Sequence, residues 1–338
     1  MTRQDDITNF VETAGWGAAH IAPLAGDASN RRYFRLTADD GAQSVLMDAP
    51  PDKQNDIRPF ISIATHLSDL GLSAPQIIHQ DEMRGLLLLE DLGDGLFARE
   101  IERDAALETP LYEAATDVLH QLHMAVLPTI NRFASDVTVP QAAIVFDWYQ
   151  AGATGSVDDD AKARFEMEFT RLISPFDQSL DVLMLRDYHA ENLLWLPQRK
   201  GLARVGLLDF QDAMAGHRAY DLVSLLQDAR RDVGAEVERA MLDRYIARNS
   251  INRDDFLTAY AIFGVQRNLR ILGVFARLCM RNSKAHYVDL IPRVWRYLQK
   301  NLDHPALRKL ATVLSALPEP TDAVLAQIKE KCGTCAGR

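Results

Sequence analysis

Apolar and polar positions recur in two different periods along this chain, and the change of period divides it. Residues 4–15 put Ile7, Phe10, Val11 and Ala14 on one face at helical spacing and predict a short helix. Short apolar runs follow at Ile21 to Ala25, Tyr33 to Leu36 and Ser44 to Met47, parted by polar turns, and predict strands. Pro50-Pro51 breaks the chain, and a helix from about Asn55 to Leu70 turns Phe60, Ile63, Ala64 and Leu67 inward. Pro75 to His79 and Leu86 to Glu90 predict a hairpin around residues 81–85. Leu86 to Leu89 is apolar at every position, as in a strand covered on both faces. Glu90 to Gly95 brings two glycines and a shift in composition. A boundary is expected there, dividing 1–92 from 93–338.

Beyond it the helical period dominates. Leu111 to Val126 is amphipathic, with His120 and His123 reading as hydrogen-bonding partners in preference to a metal pair. Helices are also predicted at 222–230, 235–249, 254–280, 285–301, 304–315 and 320–331. Three short apolar runs interrupt them: Val182 to Leu185, Leu193 to Leu196 and Val205 to Leu208. With the turn at residues 197–201 they predict strand, loop, strand, turn, strand. The fold class that follows is α+β: a small antiparallel sheet first, then a larger, mainly helical part.

Those interrupting strands carry the candidate chemistry. Asp187 and Asn192 stand five apart in a short polar loop, and Asp209 ends the next apolar run. Transfer of a phosphoryl group needs one carboxylate to orient a hydroxyl, plus an Asn and a second Asp to hold the magnesium that bridges the phosphates. Either half of this pattern is common by chance. Together, in this strand context, they point to ATP and Mg²⁺ chemistry.

Composition narrows the classes. A chain of 338 residues with 47% hydrophobic content can bury a large core, and a net charge of -10 argues against a nucleic-acid surface. No apolar stretch nears the roughly 18 residues needed to span a bilayer, and MTRQDDITNF has no signal-peptide pattern. A small molecule is the expected partner and the cytoplasm the expected location. Cys332 and Cys335 form a C-x-x-C at the end of the chain, where a frayed tail is expected ahead of a zinc half-site or a redox pair. Residues 25–32 can lay backbone N–H groups against phosphates or simply close a hairpin. Phe146-Asp147-Trp148-Tyr149 reads as a packed helix face or a sugar-stacking surface, and Gln266, Arg267, Arg270 and Arg277 as solvated or paired cations or an anion grip.

The segments GDASNRRYFRL (26–36), VLMDAPP (45–51), LLLEDLGD (87–94), LRDYHAENLLW (185–195), LLDFQDA (207–213), YDLVSLLQDAR (220–230) and QRNLRILGVFARL (266–278) carry a family resemblance. Over nearly its whole length the chain resembles the aminoglycoside phosphotransferase family, which shares the two-lobed protein-kinase-like fold. Within it the chain is most similar to the bacterial anomeric kinases of N-acetylmuramate and N-acetylglucosamine, which serve cell-wall recycling. The resemblance implies Asp187 as catalytic base and Asn192 and Asp209 as magnesium ligands. It implies that Gly26, Asp27, Ala28, Ser29 and Asn30 cover the phosphates, and that backbone near Glu90 and Leu92 meets adenine. Asp221 would brace the catalytic loop, and His189, Trp148, Arg267 and Arg270 are the candidates for holding the acceptor.

The chain departs from that pattern at several positions: Gln211 stands in the metal-binding segment where a glycine is common, and residues 55–70 contain no glutamate to pair with a lysine. Leu185-Arg186 stands where the family usually has His-Gly, and Val45-Leu46-Met47-Asp48 lacks the usual phosphate-gripping lysine, leaving Arg31, Arg32 or Lys53 to replace it. A kinase for an aminoglycoside or a choline-type alcohol is the alternative, and a silent nucleotide-binding module the third.

Overall fold

The computed structural model describes residues 2–24, 31–51 and 56–335. Helix α1 (Arg3–Thr13) opens on a capping box, in which the Thr2 hydroxyl accepts from the Asp5 N–H and the Asp5 carboxylate accepts from the Thr2 N–H at 2.7 Å. Strands β1 (His20–Leu24), β2 (Arg32–Thr37) and β3 (Gln43–Asp48) follow, then α2 (Arg58–Asp69), β4 (Ile77–Asp81) and β5 (Leu86–Glu90). The five strands make one antiparallel sheet in the order β1-β2-β3-β5-β4. Because β5 is interior, Leu86 to Leu89 are all buried, which accounts for the unbroken leucine run. Ile7, Phe10 and Val11 of α1 pack with Leu36, Leu46, Leu86 and Leu88 of the sheet. Phe60, Ile63, Ala64 and Leu67 are the buried face of α2, as their spacing requires. That helix is described from Arg58, with Pro59 in its first turn, and the expected start at Asn55 falls outside the described residues. The ladder between β4 and β5 is irregular between Ile77 and His79, so Ile78 has no registered partner and β4 runs later than Pro75 to His79.

Next come α3 (Phe97–Arg103), α4 (Glu108–Met124), α5 (Ser135–Val145), a π-helical turn over Phe146–Gln150, α6 (Ala151–Thr154) and α7 (Asp159–Ile173). Strands β6 (Val182–Met184), β7 (Leu193–Trp195), β8 (Val205–Leu207) and β9 (Met214–Gly216) precede α8 (Ala219–Leu226), α9 (Ala235–Asn249), α10 (Arg253–Asn282), α11 (Ile291–Leu302), α12 (Arg308–Leu314) and α13 (Asp322–Glu330). Helix α11 starts at Ile291, not 285, because residues 285–290 form a 3₁₀ turn and Pro292 opens the α-helix.

The chain divides into two compact units: Met1–Val118 with Ala190–Ala213, and Leu119–His189 with Met214–Arg338. In the first unit β7 and β8 form the hairpin that the turn at residues 197–201 predicts. The Trp195 N–H donates to the Gly95 carbonyl at 2.7 Å, and a Cβ on Gly95 would lie 2.9 Å from the Trp195 oxygen. Only glycine admits that approach. In the second unit β6 pairs with β9, so the three interrupting runs belong to two separate ladders. His120 Nδ1 meets Asn249 Oδ1 at 3.1 Å, and His123 Nδ1 meets the Tyr245 hydroxyl at 2.6 Å. Burial drives His123 down to about 3, leaving it neutral. The C-terminal turn is not frayed through Cys335: Gly333 and Cys335 donate to the carbonyls of Cys279 and Met280 at 3.1 and 3.0 Å.

The segment after β5 is held by one side chain. Arg35 on β2 forks onto Asp91 (2.5 and 3.1 Å) and Asp94 (2.9 and 3.0 Å), and those hydrogen bonds push its pKa up. Arg35→Ala strips the nearly buried Asp91 of its counter-ion and should cost about 1–3 kcal/mol in urea unfolding. A loss below about 0.5 kcal/mol, the range of ordinary surface substitutions, would leave the fork without structural weight.

Candidate active site

Asp187 lies just past β6, in a turn whose geometry is imposed from below. Arg186 adopts φ +72°, a left-handed backbone that costs a non-glycine residue energy. This is the position where the family pattern has glycine. The turn is held because Asp221, at the start of α8 and fully buried, accepts the Leu185 N–H at 2.7 Å and the Arg186 N–H at 2.8 Å. The Arg186 guanidinium also lies over the Phe133 ring, 5.8 Å from its centroid. Burial raises the Asp221 carboxyl to about 7, against the pull of the two backbone donors.

The charge around Asp187 is positive. Burial works to raise its pKa, but the guanidinium charges of Arg267, Arg270 and Arg186 outweigh burial and the net shift is downward. Asp187 is therefore a carboxylate at neutral pH. Arg267 is buried on α10, donates to the Ser224 hydroxyl at 2.8 Å and lies 5.9 Å from the centroid of the Tyr220 ring. It is not one of the solvated cations expected of that helix. Arg270, one turn on, is half-buried. Burial pushes buried His189 down, with Asp228 opposing, which keeps the ring neutral. Trp148 lies in the π-helical turn, half-buried beside fully buried Phe146 and Tyr149, so the aromatic cluster is mostly packed core.

The other two acidic-amide positions meet in the first unit. Asn192 precedes β7 and Asp209 follows β8, and hairpin pairing brings Asn192 Nδ2 within 3.5 Å of Asp209 Oδ2. Gln211 donates to Asp209 Oδ1 at 2.7 Å, and Asp209 itself takes φ +57°. An exposed carboxylate beside an amide is a hard-oxygen donor pair of the kind magnesium takes alongside phosphate oxygens.

Gly26, Asp27, Ala28, Ser29, Asn30 and Lys53 lie outside the described residues. Arg32 is committed elsewhere, since it and Arg3 both bond to Asp48, which is buried at the end of β3. The strand that lacks the lysine thus ends in a buried acid that nothing in its local sequence announces. Arg31 is placed differently: it hydrogen-bonds Tyr33, whose pKa is raised first by burial and also by the charge of Asp209. Of the two described candidates, Arg31 is the one grouped with Asp209. The Glu90 N–H is taken by the Gln76 carbonyl at 2.8 Å and its carboxylate by Arg199, so any adenine contact at Glu90 falls to its carbonyl.

Asp221 has a pH signature. Its folded pKa of about 7 lies above its ordinary 3.8, so the folded state holds a proton that the unfolded chain releases. Its stabilisation is complete below the ordinary value and is lost as pH rises through about 7. The urea stability of the wild type relative to Asp221→Asn should therefore fall between pH 5 and 8, and a constant difference across that range would refute the assignment. Arg186→Gly removes a cation from beside Asp187 and should move the acidic limb of the kcat/KM profile to higher pH.

Residues 20–257 match the family model described as the phosphotransferase enzyme family. A protein of Caulobacter vibrioides named N-acetylmuramate/N-acetylglucosamine kinase is 40% identical over 89% of this chain and 93% of its own length. One of the same name from Pseudomonas aeruginosa is 34% identical over 91% and 93%. Among solved structures, a choline kinase from Streptococcus pneumoniae superposes with a TM-score of 0.60 at 13% identity, over 88% of this chain and all of that one. This last likeness concerns the fold alone, and it is the two-lobed, protein-kinase-like one. The chain belongs to the phosphotransferase enzyme family and is a small-molecule kinase.

Proposed function

We propose that this kinase uses ATP and Mg²⁺ to phosphorylate the anomeric hydroxyl of an amino sugar, N-acetylmuramate or N-acetylglucosamine, in cell-wall recycling in the cytoplasm. The observation that carries the reading is the ionised Asp187 set among Arg267, Arg270 and Arg186. Such a group pairs a hydroxyl acceptor with fixed positive charge, which suits an acceptor bearing a carboxylate, as N-acetylmuramate does. The similarity to relatives of that name across nine-tenths of the chain supports it. A polycationic aminoglycoside or a quaternary alcohol calls for acids where this protein has arginines, so the second reading is the weaker one.

The chemistry follows from the charges. A carboxylate whose pKa is held down is a poor general base in the ground state but a good hydrogen-bond acceptor. Asp187 accordingly orients the sugar hydroxyl, accepting its hydrogen bond and taking the proton late, as a loose phosphoryl-transfer transition state allows. Neutral His189 adds no competing charge. Asn192 and Asp209 would hold the magnesium ion, which supplies positive charge at the phosphate oxygens. Arg31 takes the place of the absent lysine in gripping the phosphates, and Leu92, in the segment held by Arg35, offers backbone to the adenine.

An ADP-release assay with Mg-ATP against N-acetylmuramate, N-acetylglucosamine, aminoglycosides and choline tests the whole assignment. Turnover should be confined to the amino sugars, and Asp187→Asn should lower kcat by several orders of magnitude with ATP affinity kept. Turnover on an aminoglycoside or choline alone would discard the amino-sugar acceptor. ATP binding with no turnover on any of them would favour a silent module. Arg31→Ala should raise KM for ATP tenfold or so, roughly the loss of one charged hydrogen bond, while Arg32→Ala acts on stability through Asp48. Arg270→Ala should raise KM for N-acetylmuramate more than for N-acetylglucosamine, and a parallel rise would assign it to structure instead.

A further inference from the structure

The chain has three cysteines, all of them free thiols, and the fold gathers them at one end of α10. Helix α13 is laid there through Ile328, which is fully buried, with Met280 and Ile328 both crowding the space beside Gly152. Lys331 Nζ then donates to the carbonyls of Ala151 and Gly152 at 3.1 and 2.6 Å. Past α13 the chain turns back on itself, and Gly333 and Cys335 bond to the carbonyls of Cys279 and Met280. Gly333 takes φ +73°, and a Cβ on it would lie 2.6 Å from Ser283 Oγ. The turn between the two cysteines thus closes only with glycine in it.

This docking brings together thiols 53 positions apart in the chain. Cys332 Sγ lies 3.2 Å from the Cys279 carbonyl oxygen, and Cys279 Sγ lies 3.7 Å from the carbonyl oxygen of Ile328, on the helix that leads to Cys332. Each sulfur faces the other's segment. Cys279 is buried, whereas Cys332 and Cys335 are partly exposed. A reagent therefore reaches the tail thiols before the helix thiol.

We propose that Cys279 and Cys332 are a disulfide-forming site, at which a low-molecular-weight disulfide of the glutathione type covalently joins the C-terminal turn to the end of α10. In the first step the Cys332 thiolate attacks one sulfur of the oxidant. The oxidant's S–S bond breaks, a mixed disulfide forms on Cys332, and one glutathione leaves as thiolate and takes up a proton. In the second the Cys279 thiolate displaces the remaining glutathione and closes the protein disulfide. Two protein thiols are oxidised and one glutathione disulfide is reduced to two glutathione thiols. Burial, followed by the neighbouring Cys332 thiol, pushes Cys279 up to about 12. The second step is accordingly slow at neutral pH and quickens about tenfold per pH unit as the thiolate fraction grows. A pair of this kind stays reduced in a reducing thiol pool and reports a shift in that pool, in contrast to a permanent structural bridge.

The test uses the reduced full-length protein, incubated with glutathione disulfide at several pH values, acid-quenched, alkylated and digested with trypsin. The expected product joins the peptide 278–281 to the peptide 332–338, less the mass of two hydrogens. It should accumulate faster as pH rises, persist in Cys335→Ser, and raise the thermal midpoint of the protein over its reduced form. Three outcomes overturn the proposal: an internal disulfide within 332–338 with Cys279 alkylated, glutathione adducts on the tail thiols that never resolve, or thiols that stay free throughout. The Cys335→Ser arm removes the competing partner without touching the pair, so the result does not depend on whether a Cys279 variant folds.

Discussion

Two backbone N–H groups, those of Leu185 and Arg186, are aimed at one buried carboxylate, and the placement of Asp187 depends on that convergence. An arginine in the left-handed region is unstable by itself. It persists because leaving two buried donors unpaired costs more than the strain they impose. Asp221 is buried at an energetic cost too, visible in a carboxyl raised to about 7, and the two hydrogen bonds offset it. Strain, burial and hydrogen bonding thus balance in three residues and together aim a fourth.

The distribution of charge follows the reaction more closely than the net charge does. The chain carries -10 overall, yet Asp187 is set among arginines. Arg31 is grouped through Tyr33 with Asp209, and Arg35 clamps the acids that follow β5. Phosphates and an acidic sugar both need positive charge that is already in place, since reorganising it during the reaction would add to the barrier. Arg32 marks the boundary of that logic: its charge is used up on the buried Asp48 carboxylate, where it serves the sheet.

Much of this was legible along the chain because it is written in local periods. The buried face of α2, the leucine run of β5 and the span of α10 all come from spacing that a single element reads by itself. The β7–β8 hairpin was legible through its turn residues, and with it the meeting of Asn192 and Asp209. What escaped were pairings between distant segments. Nothing near Val182 announces that β6 joins β9, and nothing near Asp48 announces Arg3. The C-terminal C-x-x-C read as a loose end because the residue it docks against lies 53 positions back.

The sequence by itself determined the fold class and the family and pointed to the side chains proposed to react, because helix and strand periods and short motifs are properties of neighbouring residues. Only the tertiary structure decided the state of those side chains. Burial and charge at a point are sums over everything packed there, and most of the contributors are remote in sequence. Arg267 is a buried cation beside Asp187, not a solvated one, because α8 and α10 meet at Ser224. An arginine can occupy a glycine's place before Asp187 because Asp221, thirty-five residues downstream, accepts its N–H.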